Sequence, residues 1–437
     1  MKKIFLLLLV IALPIFILAQ ETEKKFGVNL SGFVRNDITY NTRQVVSARG
    51  QANILLAPKP IELDEDGNDI NEAGNFNMVG LTTRLRAKIK GADAFGAKTS
   101  GLIEMDFVGY ANSAGAVPFS LRLRHAMFKL DWGKSQLLIG QYWHPMWATE
   151  CYAGTVSFGA GLPFNPLSRN PQIRFTHKLG RFSLLGAILS HGMFISKAGS
   201  SAFQNSGVPE LHAQVQFKND IISAGLGINF QVLKPRLSSI VTDSMGVNHT
   251  YATSETINSL SYFGYIKTSF KPLTIKLYGM YGQNNDNLVM MGGYAIIDKV
   301  YSQNQINKGF VEYAPYNTLS SWADFETTGK KLTFGLFAGY SQNMGATTSI
   351  QAGTFVGRWG NVNTMLRIAP RVVYKINKIK LGFELEYSQI DYAKQEVDTN
   401  GIPVVGSNVG GISTHGTVTN FDTADNIRFL LSLTYLF

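Results

Sequence analysis

Apolar and polar side chains alternate with a period of two near the start of this sequence. Across Phe26–Tyr40 the even positions are mostly apolar, whereas the odd positions include Ser31, Arg35 and Asp37. A period of two is that of a β-strand, whose successive side chains point to opposite faces. These fifteen residues exceed the usual strand of about 5–6 residues, and they suit a tilted strand that crosses a bilayer. The pattern therefore predicts a membrane strand with one face towards lipid.

The same alternation recurs along the chain and predicts sixteen strands. In the second of them Leu85 faces one way, and Arg84, Arg86 and Lys88 face the other. The alternation slips near His125, where a β-bulge would insert one extra residue. The predicted strands lie near residues 26–40, 79–90, 100–110, 119–131, 135–143, 171–178, 181–190, 209–218, 220–233, 256–269, 272–283, 319–327, 331–341, 363–376, 379–391 and 424–437.

The connections between the predicted strands alternate in length. Short turns follow the even-numbered strands, and long loops follow the odd-numbered ones. This pattern is typical of outer-membrane barrels, which place short turns in the periplasm and long loops outside the cell. The sequence thus predicts an all-β fold, a transmembrane antiparallel up-and-down β-barrel of about sixteen strands. The predicted short turns are 91–96, 132–134, 179–180, 219, 271, 328–330 and 377–378.

The pattern of the last predicted strand independently indicates a closed barrel. Phe429, Leu433 and Phe437 lie on its apolar face, and Arg428 and Ser432 lie on the other. An unpaired strand edge in hydrocarbon leaves backbone groups without hydrogen bonds, at a cost of several kcal/mol for each group. The last strand is therefore expected to pair with the first. Its terminal aromatic residue, Phe437, resembles the sorting signal that the barrel-insertion machinery reads.

The first nineteen residues have the pattern of a secretory signal peptide. Lys2 and Lys3 precede an apolar stretch, 4–18, and Ala19 supplies a small residue at the predicted cleavage site. An uncleaved anchor is the alternative, but the apolar stretch is shorter than the ~20 residues of a spanning helix. The expected organisation is a signal peptide, 1–19, followed by a barrel, 20–437, in the cell outer membrane.

Composition agrees with a chain that faces lipid and water in turn. Hydrophobic residues make up 45% of the sequence and charged residues 16%, which is below the quarter that is usual in soluble domains. The single cysteine excludes an internal disulfide framework and a cysteine-cluster metal site. We expect no cofactor, no metal site and no nucleic-acid partner.

The strand faces opposite the apolar ones carry many charges. These charges are expected to line the lumen, where rows of fixed charge select solutes by sign. Basic rows outnumber acidic rows, which predicts a weak anion preference. The alternative is that the charges pair within the wall and stabilise a plugged barrel. The predicted basic residues are Arg84, Arg86, Lys88, Arg122, Arg124, Arg174, Arg367, Arg371 and Lys375, and the acidic ones are Glu104, Asp106, Glu384 and Glu386.

The predicted loop 143–170 is rich in aromatic residues and proline. Such a composition implies that a long loop packs against something. We expect the loop to fold into the lumen and narrow it, with packing on the rim or at a subunit contact as the alternative. Glu150 in this loop is a candidate acidic group facing the basic rows. Cys151 is expected to be a buried apolar residue and not a reactive thiol.

Three segments resemble the DcaP-like porin family. They are LRLRHA at 121–126, LIGQYWHPM at 138–146 and NPQIR at 170–174, with weaker support from the first strand and from Arg367–Tyr374. The resemblance is strongest across 119–175. It implies a sixteen-stranded porin, a homotrimer, that passes small and often anionic hydrophilic solutes.

Other functions remain as alternatives to a channel. The principal one is a structural or adhesive outer-membrane barrel without an open pore. A barrel enzyme is less favoured, because the sequence has no Gly-x-Ser-x-Gly or His-Glu-x-x-His motif. The acidic run Glu62–Glu72 lacks the spacing of a calcium loop. It is expected to be a solvated loop, with divalent bridging to surface lipopolysaccharide as the alternative.

Overall fold

The computed structural model describes residues 26–48, 54–109, 120–192, 194–394 and 411–437. The predicted signal peptide, 1–19, lies outside the described residues. Part of the fourth predicted strand, at 119, and the end of the third, at 110, also lie outside them.

One antiparallel sheet closes on itself to form a barrel of sixteen strands. The second strand is interrupted, and both of its segments pair with the first strand. The barrel strands are β1 (Gly27–Asn41), β2 (Asn75–Val79 and Arg84–Lys90), β3 (Lys98–Asp106), β4 (Arg122–Asp131), β5 (Ser135–Trp143), β6 (Arg169–Leu179), β7 (Phe182–Leu189), β8 (Glu210–Lys218), β9 (Ile222–Leu233), β10 (Ile257–Phe270), β11 (Leu273–Gln283), β12 (Asn317–Thr327), β13 (Leu332–Gly345), β14 (Val362–Ile376), β15 (Ile379–Ala393) and β16 (Phe421–Leu436).

The barrel closes between its first and last strands. β1 pairs with β16 in antiparallel register, with Arg35 opposite Thr434 and Tyr40 opposite Phe429. The terminal residue extends the seam, because the Gly32 N–H donates to the Phe437 carbonyl at 3.1 Å and the Phe437 N–H donates back at 3.2 Å. Neighbouring strands in the sheet also follow each other in the chain. The predicted up-and-down barrel of about sixteen strands is confirmed.

Most predicted strands begin and end within a few residues of the observed ones. The slip near His125 is a shift of register, because His125 lies opposite Glu104 whereas Leu123 lies opposite Met105. The break in β2, between Val79 and Arg84, was not predicted. The connections alternate as predicted: two or three residues separate β4 from β5 and β14 from β15, and long loops such as 284–316 lie at the other end.

The two faces of the barrel wall differ in chemistry. Outward side chains such as Val28, Leu30 and Phe429 are apolar and exposed, with Leu30 65% accessible. Inward side chains such as Asp37 and Arg428 are polar and buried. The alternation of each strand places these two sets on opposite faces of one sheet. The apolar set therefore forms a continuous exposed belt around the barrel.

The long loops carry short elements of their own. Their β-strands are Val45–Ala48, Ile54–Pro58, Ser238–Thr242, Asn248–Ala252, Gly292–Ile296, Tyr313–Pro315 and Val356–Arg358. Their helices are α1 (Ser200–Ser206) and α2 (Gln303–Lys308), with a 3-10 turn at Asn285–Leu288. In the described part of the chain, no helix has the length and apolar character needed to cross a membrane.

The main hydrophobic cluster joins the loop after β5 to the inner wall. Met146, Trp147 and Phe164 of this loop are buried against inward side chains that include Tyr278 and Trp322. The Tyr278 hydroxyl donates to the Met146 carbonyl at 3.1 Å, and the Trp322 indole donates to the Asn165 side chain at 3.1 Å. The fold thus brings residues 144–168, here called the inner loop, against the inward face of distant strands.

Candidate functional site

Three adjacent strands bring the predicted charges of the first basic and acidic rows together. The antiparallel register places Arg84 opposite Asp106 and Arg86 opposite Glu104 between β2 and β3. Between β3 and β4, Asp106 lies opposite Arg122. Directly opposite residues share a face of the sheet. The acidic row of β3 therefore lies between two arginine rows.

Glu104 is fully buried under three arginines. Its carboxylate accepts hydrogen bonds from Arg86 at 2.7 Å and Arg124 at 2.6 Å, and Arg84 lies 3.5 Å away. The Arg86 side chain remains 38% exposed, whereas Glu104 is inaccessible. The negative charge is thus covered by the cations that neutralise it.

Asp106 is also inaccessible and is shared by two guanidinium groups. Arg122 donates to both of its oxygens, at 2.8 and 2.6 Å, and Arg124 donates at 2.8 Å. The predicted pairing within the wall is therefore present on this side of the barrel. Two carboxylates are shared by four arginines, so this patch keeps a positive excess.

Arg35 of β1 extends this patch and contacts the inner loop. It pairs with Asp37 at 2.8 Å and donates to the Val156 carbonyl at 2.7 Å. The guanidinium groups of Arg35, Arg84 and Arg124 all lie over the ring of Phe158, 5.4 to 5.7 Å from its centroid. We call Arg35, Arg84, Arg86, Arg122 and Arg124 the arginine face.

Carboxylates of β12 and β15 hold the backbone of the inner loop. Glu384 accepts the N–H of Val156 at 2.7 Å and the N–H of Ser157 at 2.8 Å. Asp324 accepts the N–H of Gly154 at 2.9 Å. Since the loop donates backbone hydrogen bonds here and accepts one from Arg35, it is attached to both walls.

Arg367 and Arg371 do not form an exposed row, which corrects the expectation that they line the lumen. Both are buried, with 3% and 5% of their surface accessible. Arg371 donates to Asp324 at 2.6 Å and to Glu326 at 2.9 Å. Arg367 donates to the Leu162 carbonyl of the inner loop at 2.6 Å. It also donates to a carbonyl of the first loop, at Leu56, at 3.0 Å. The loops cover this wall, so its arginines bind loop backbone and wall carboxylates.

A cavity of about 650 Å³ lies between the arginine face, the inner loop and inward residues of β11 to β15. Five of the predicted lumen residues line it: Arg84, Arg86, Arg122, Arg124 and Lys375. Among the described residues around it are nine basic side chains and a single carboxylate, that of Glu326. The other basic side chains are Arg35, Arg169, Lys276 and Lys380.

Three predicted site residues lie away from this cavity. Arg174 donates to the Gln172 side chain at 2.8 Å and to the Trp143 carbonyl. Glu150 forms an exposed ion pair with Lys218 at 2.9 Å, so its cationic partner is not one of the arginines. Lys88 is exposed near the end of β2.

Some lining residues were missed at the level of sequence. Arg35 stands on the polar face of β1, so the alternation already placed it inward. Lys276 and Lys380 occupy inward positions of β11 and β15, and the same parity could have identified them. Arg169 begins β6 and is fully buried beside Trp143, with the guanidinium 4.8 Å from the ring centroid. No signal in the sequence indicated its position.

The inner loop holds the single cysteine of the chain. Cys151 is 1% accessible, and its thiol faces the carbonyl oxygen of Ile266 at 3.6 Å. Burial raises the pKa of the Cys151 thiol to about 12, so the group stays protonated and unreactive at neutral pH. Among the residues that the structure describes, no group of three or more His, Cys, Asp or Glu side chains is placed to hold a metal ion.

The fold is similar to those of several solved outer-membrane proteins. The outer membrane channel DcaP of Acinetobacter baumannii matches with a TM-score of 0.63 and 15% identity, over 94% of this chain and 97% of that one. The anion-selective porin from Comamonas acidovorans matches with a TM-score of 0.53 and 12% identity, over 94% and 100%. OmpT of Vibrio cholerae, in its trimer form, matches with a TM-score of 0.51 and 9% identity, over 94% and 99%.

These similarities define the class of fold, a closed sixteen-stranded antiparallel barrel. Within that class, the fold resembles that of the DcaP channel, as the segments within 121–174 predict. Because the sequence identities are low, the similarity is limited to the fold. No protein-family model matches the chain, and no curated protein sequence matches it either.

Proposed function

We propose that this chain is an outer-membrane porin, a passive diffusion channel for small hydrophilic solutes with a preference for anions. One observation carries the proposal: among the described residues, nine basic groups and one carboxylate line the cavity inside the closed barrel. Fixed charges that line a pore select ions by sign. Because Glu104 and Asp106 are inaccessible beneath the arginine face, a solute in the cavity meets the cations first.

The exposed apolar belt supports a place in the outer membrane. A bilayer accepts a sheet only when every strand edge is paired, and the seam between β1 and β16 meets this condition. The belt would contact membrane lipid, and the long loops would contact surface lipopolysaccharide. Export by the signal peptide, 1–19, and recognition of the Phe437 strand by the barrel-insertion machinery complete this proposal.

The inner loop would act as the size filter of the channel. It is attached to Arg35 on one side and to Asp324 and Glu384 on the other. Sixteen strands enclose a lumen wider than side chains alone can fill, so a loop across it narrows the path. A homotrimer is part of the proposal, with support from the trimer form of OmpT, which has a similar fold.

Planar-bilayer recording of the purified protein tests the channel. We expect stepwise conductance and, in a KCl gradient, a reversal potential that favours chloride. The variant Arg84→Gln/Arg86→Gln should lower the chloride-to-potassium permeability ratio by about fivefold or more, because the loss of even one charge within a few ångströms of an ion removes about 1 kcal/mol in water.

The matched control is Lys299→Gln/Lys308→Gln, which removes the same charge from a long loop outside the barrel. Its permeability ratio should equal that of the wild type. A folded protein without conductance would instead support the structural or adhesive barrel. Conductance that favours potassium would contradict the anion preference but not the proposed porin function.

A further inference from the structure

The ends of the strands nearest the short turns carry further cations, three of which, Lys276, Lys375 and Lys380, also line the cavity. Several inward lysines lie within three residues of the strand ends nearest these turns, and we call six of them the lysine belt. They belong to β2, β4, β10, β11, β14 and β15, so they are distributed around the circumference. The lysine belt consists of Lys88, Lys129, Lys267, Lys276, Lys375 and Lys380.

The strand register places these lysines on the inward face. Lys380 lies opposite Thr434, and Thr434 lies opposite Arg35, which lines the cavity. Lys375 lies opposite Lys380. Because directly opposite residues share one face of a sheet, all of these side chains point into the barrel.

The same reasoning covers the rest of the belt. Lys267 lies opposite Lys276, and Lys276 lies opposite the inward residue Asp324. Lys88 is two residues from Arg86 and therefore on its face. Lys129 lies opposite Ser100, on the face of Glu104.

Two features of the belt oppose folding. Lys375 and Lys380 are direct cross-strand neighbours, as are Lys267 and Lys276, and like charges in this position destabilise a sheet. Within the described part of the chain, an ion pair is found for only one belt lysine, Lys276, with Asp324 at 3.1 Å. The wall arginines, in contrast, share carboxylates.

Three of the acidic groups near this end already have cationic or amide partners. Glu326 binds Arg371 at 2.9 Å, and Asp131 accepts from Gln136 at 2.8 Å. Glu150 binds Lys218 at 2.9 Å. The carboxylates of the wall therefore do not balance the positive charge of the lysine belt.

We propose that the lysine belt binds small multivalent oxyanions at the mouth formed by the short turns. Two ammonium groups on opposed positions start from Cβ atoms about 5 Å apart, so one divalent anion with several oxygens can neutralise both. A monovalent anion neutralises one of them and leaves the repulsion. The inference rests on the proposed channel, since the belt is reached through the lumen.

Block of chloride current by inorganic phosphate tests this inference. Channels are inserted in a bilayer, and the side of the short turns is identified by labelling Lys134→Cys with an impermeant thiol reagent. Phosphate added at that side should block at a lower concentration than phosphate added at the other side. In Lys375→Gln/Lys380→Gln the half-blocking concentration at the turn side should rise on the order of tenfold.

Two further variants keep the test decisive. Lys375→Arg/Lys380→Arg retains both charges and should block like the wild type, whereas Lys299→Gln/Lys308→Gln loses two charges elsewhere and should also block normally. A half-blocking concentration within twofold of the wild type in Lys375→Gln/Lys380→Gln would contradict oxyanion binding by the lysine belt but not the proposed channel. Wild-type protein without any conductance would contradict both the proposed channel and oxyanion binding by the lysine belt.

Discussion

Arginine has different roles on two walls of the same barrel. On the arginine face, Arg86 is 38% exposed and covers the buried Glu104. On the wall formed by β12 to β15, here called the anchoring wall, Arg367 and Arg371 are buried and hold loops and carboxylates. On both walls, charged side chains occupy inward positions at every second residue of a strand. The loops cover the arginines of the anchoring wall, whereas the inner loop leaves part of Arg86 on the arginine face open to the cavity.

Carboxylates show the same contrast. Glu104 on the arginine face is surrounded by guanidinium groups. Glu384 on the anchoring wall instead accepts two backbone N–H groups of the inner loop. One carboxylate therefore neutralises cations and the other positions a loop. The same substitution at the two positions should separate these roles.

The largest effect is expected from Glu104→Gln. The change leaves Arg84, Arg86 and Arg124 without their shared anion, and loss of one partner of a buried ion pair costs about 3–5 kcal/mol. Urea unfolding of the purified barrel should show this loss of stability. Glu312→Gln, in an exposed pair with Lys299, is the control and should cost under about 1 kcal/mol. Equal stability of the two variants would contradict the role given to Glu104.

Glu384→Gln should have a smaller effect on stability and a larger one on the channel. The amide oxygen can replace the carboxylate towards only part of the loop, and an unsatisfied buried group costs about 1–3 kcal/mol. We expect higher single-channel conductance and passage of larger polyethylene glycols, with an unchanged permeability ratio.

Asp391→Asn is the matched control for Glu384→Gln. Asp391 lies on the same strand but hydrogen-bonds the wall side chain of Thr423 at 2.8 Å. The size limit of the Asp391→Asn channel for polyethylene glycols should match that of the wild type. A reduced permeability ratio in Glu384→Gln, with conductance unchanged, would mean that Glu384 acts on the ions and not on the loop.

The smallest effect is expected from Phe158→Ala, which separates the inner loop from the arginine face. The ring lies near three guanidinium groups, and an exposed cation–π contact contributes about 0.5–1 kcal/mol. Conductance should rise modestly. Phe158→Leu keeps most of the volume without the π-system, so wild-type currents in Phe158→Leu would show that packing alone holds the loop here.

The barrel itself could be predicted closely from the sequence. Alternation located β12 and the bulge opposite Glu104. Arg84, Arg86, Arg122 and Arg124 were identified because parity alone separates the inward from the outward face. The same parity placed Arg367 and Arg371 inward, which is right about the face and wrong about access to the lumen.

Side-chain period and turn length are local properties, and they determined the strands, their order and the face of each residue. The closed barrel follows because a sheet in a bilayer cannot keep an open edge. The sequence by itself did not determine which wall the inner loop covers. That was decided by tertiary contacts between distant segments, such as Val156 with Glu384 and Leu162 with Arg367. Such contacts depend on the path of a loop through three dimensions, which leaves no period in the sequence.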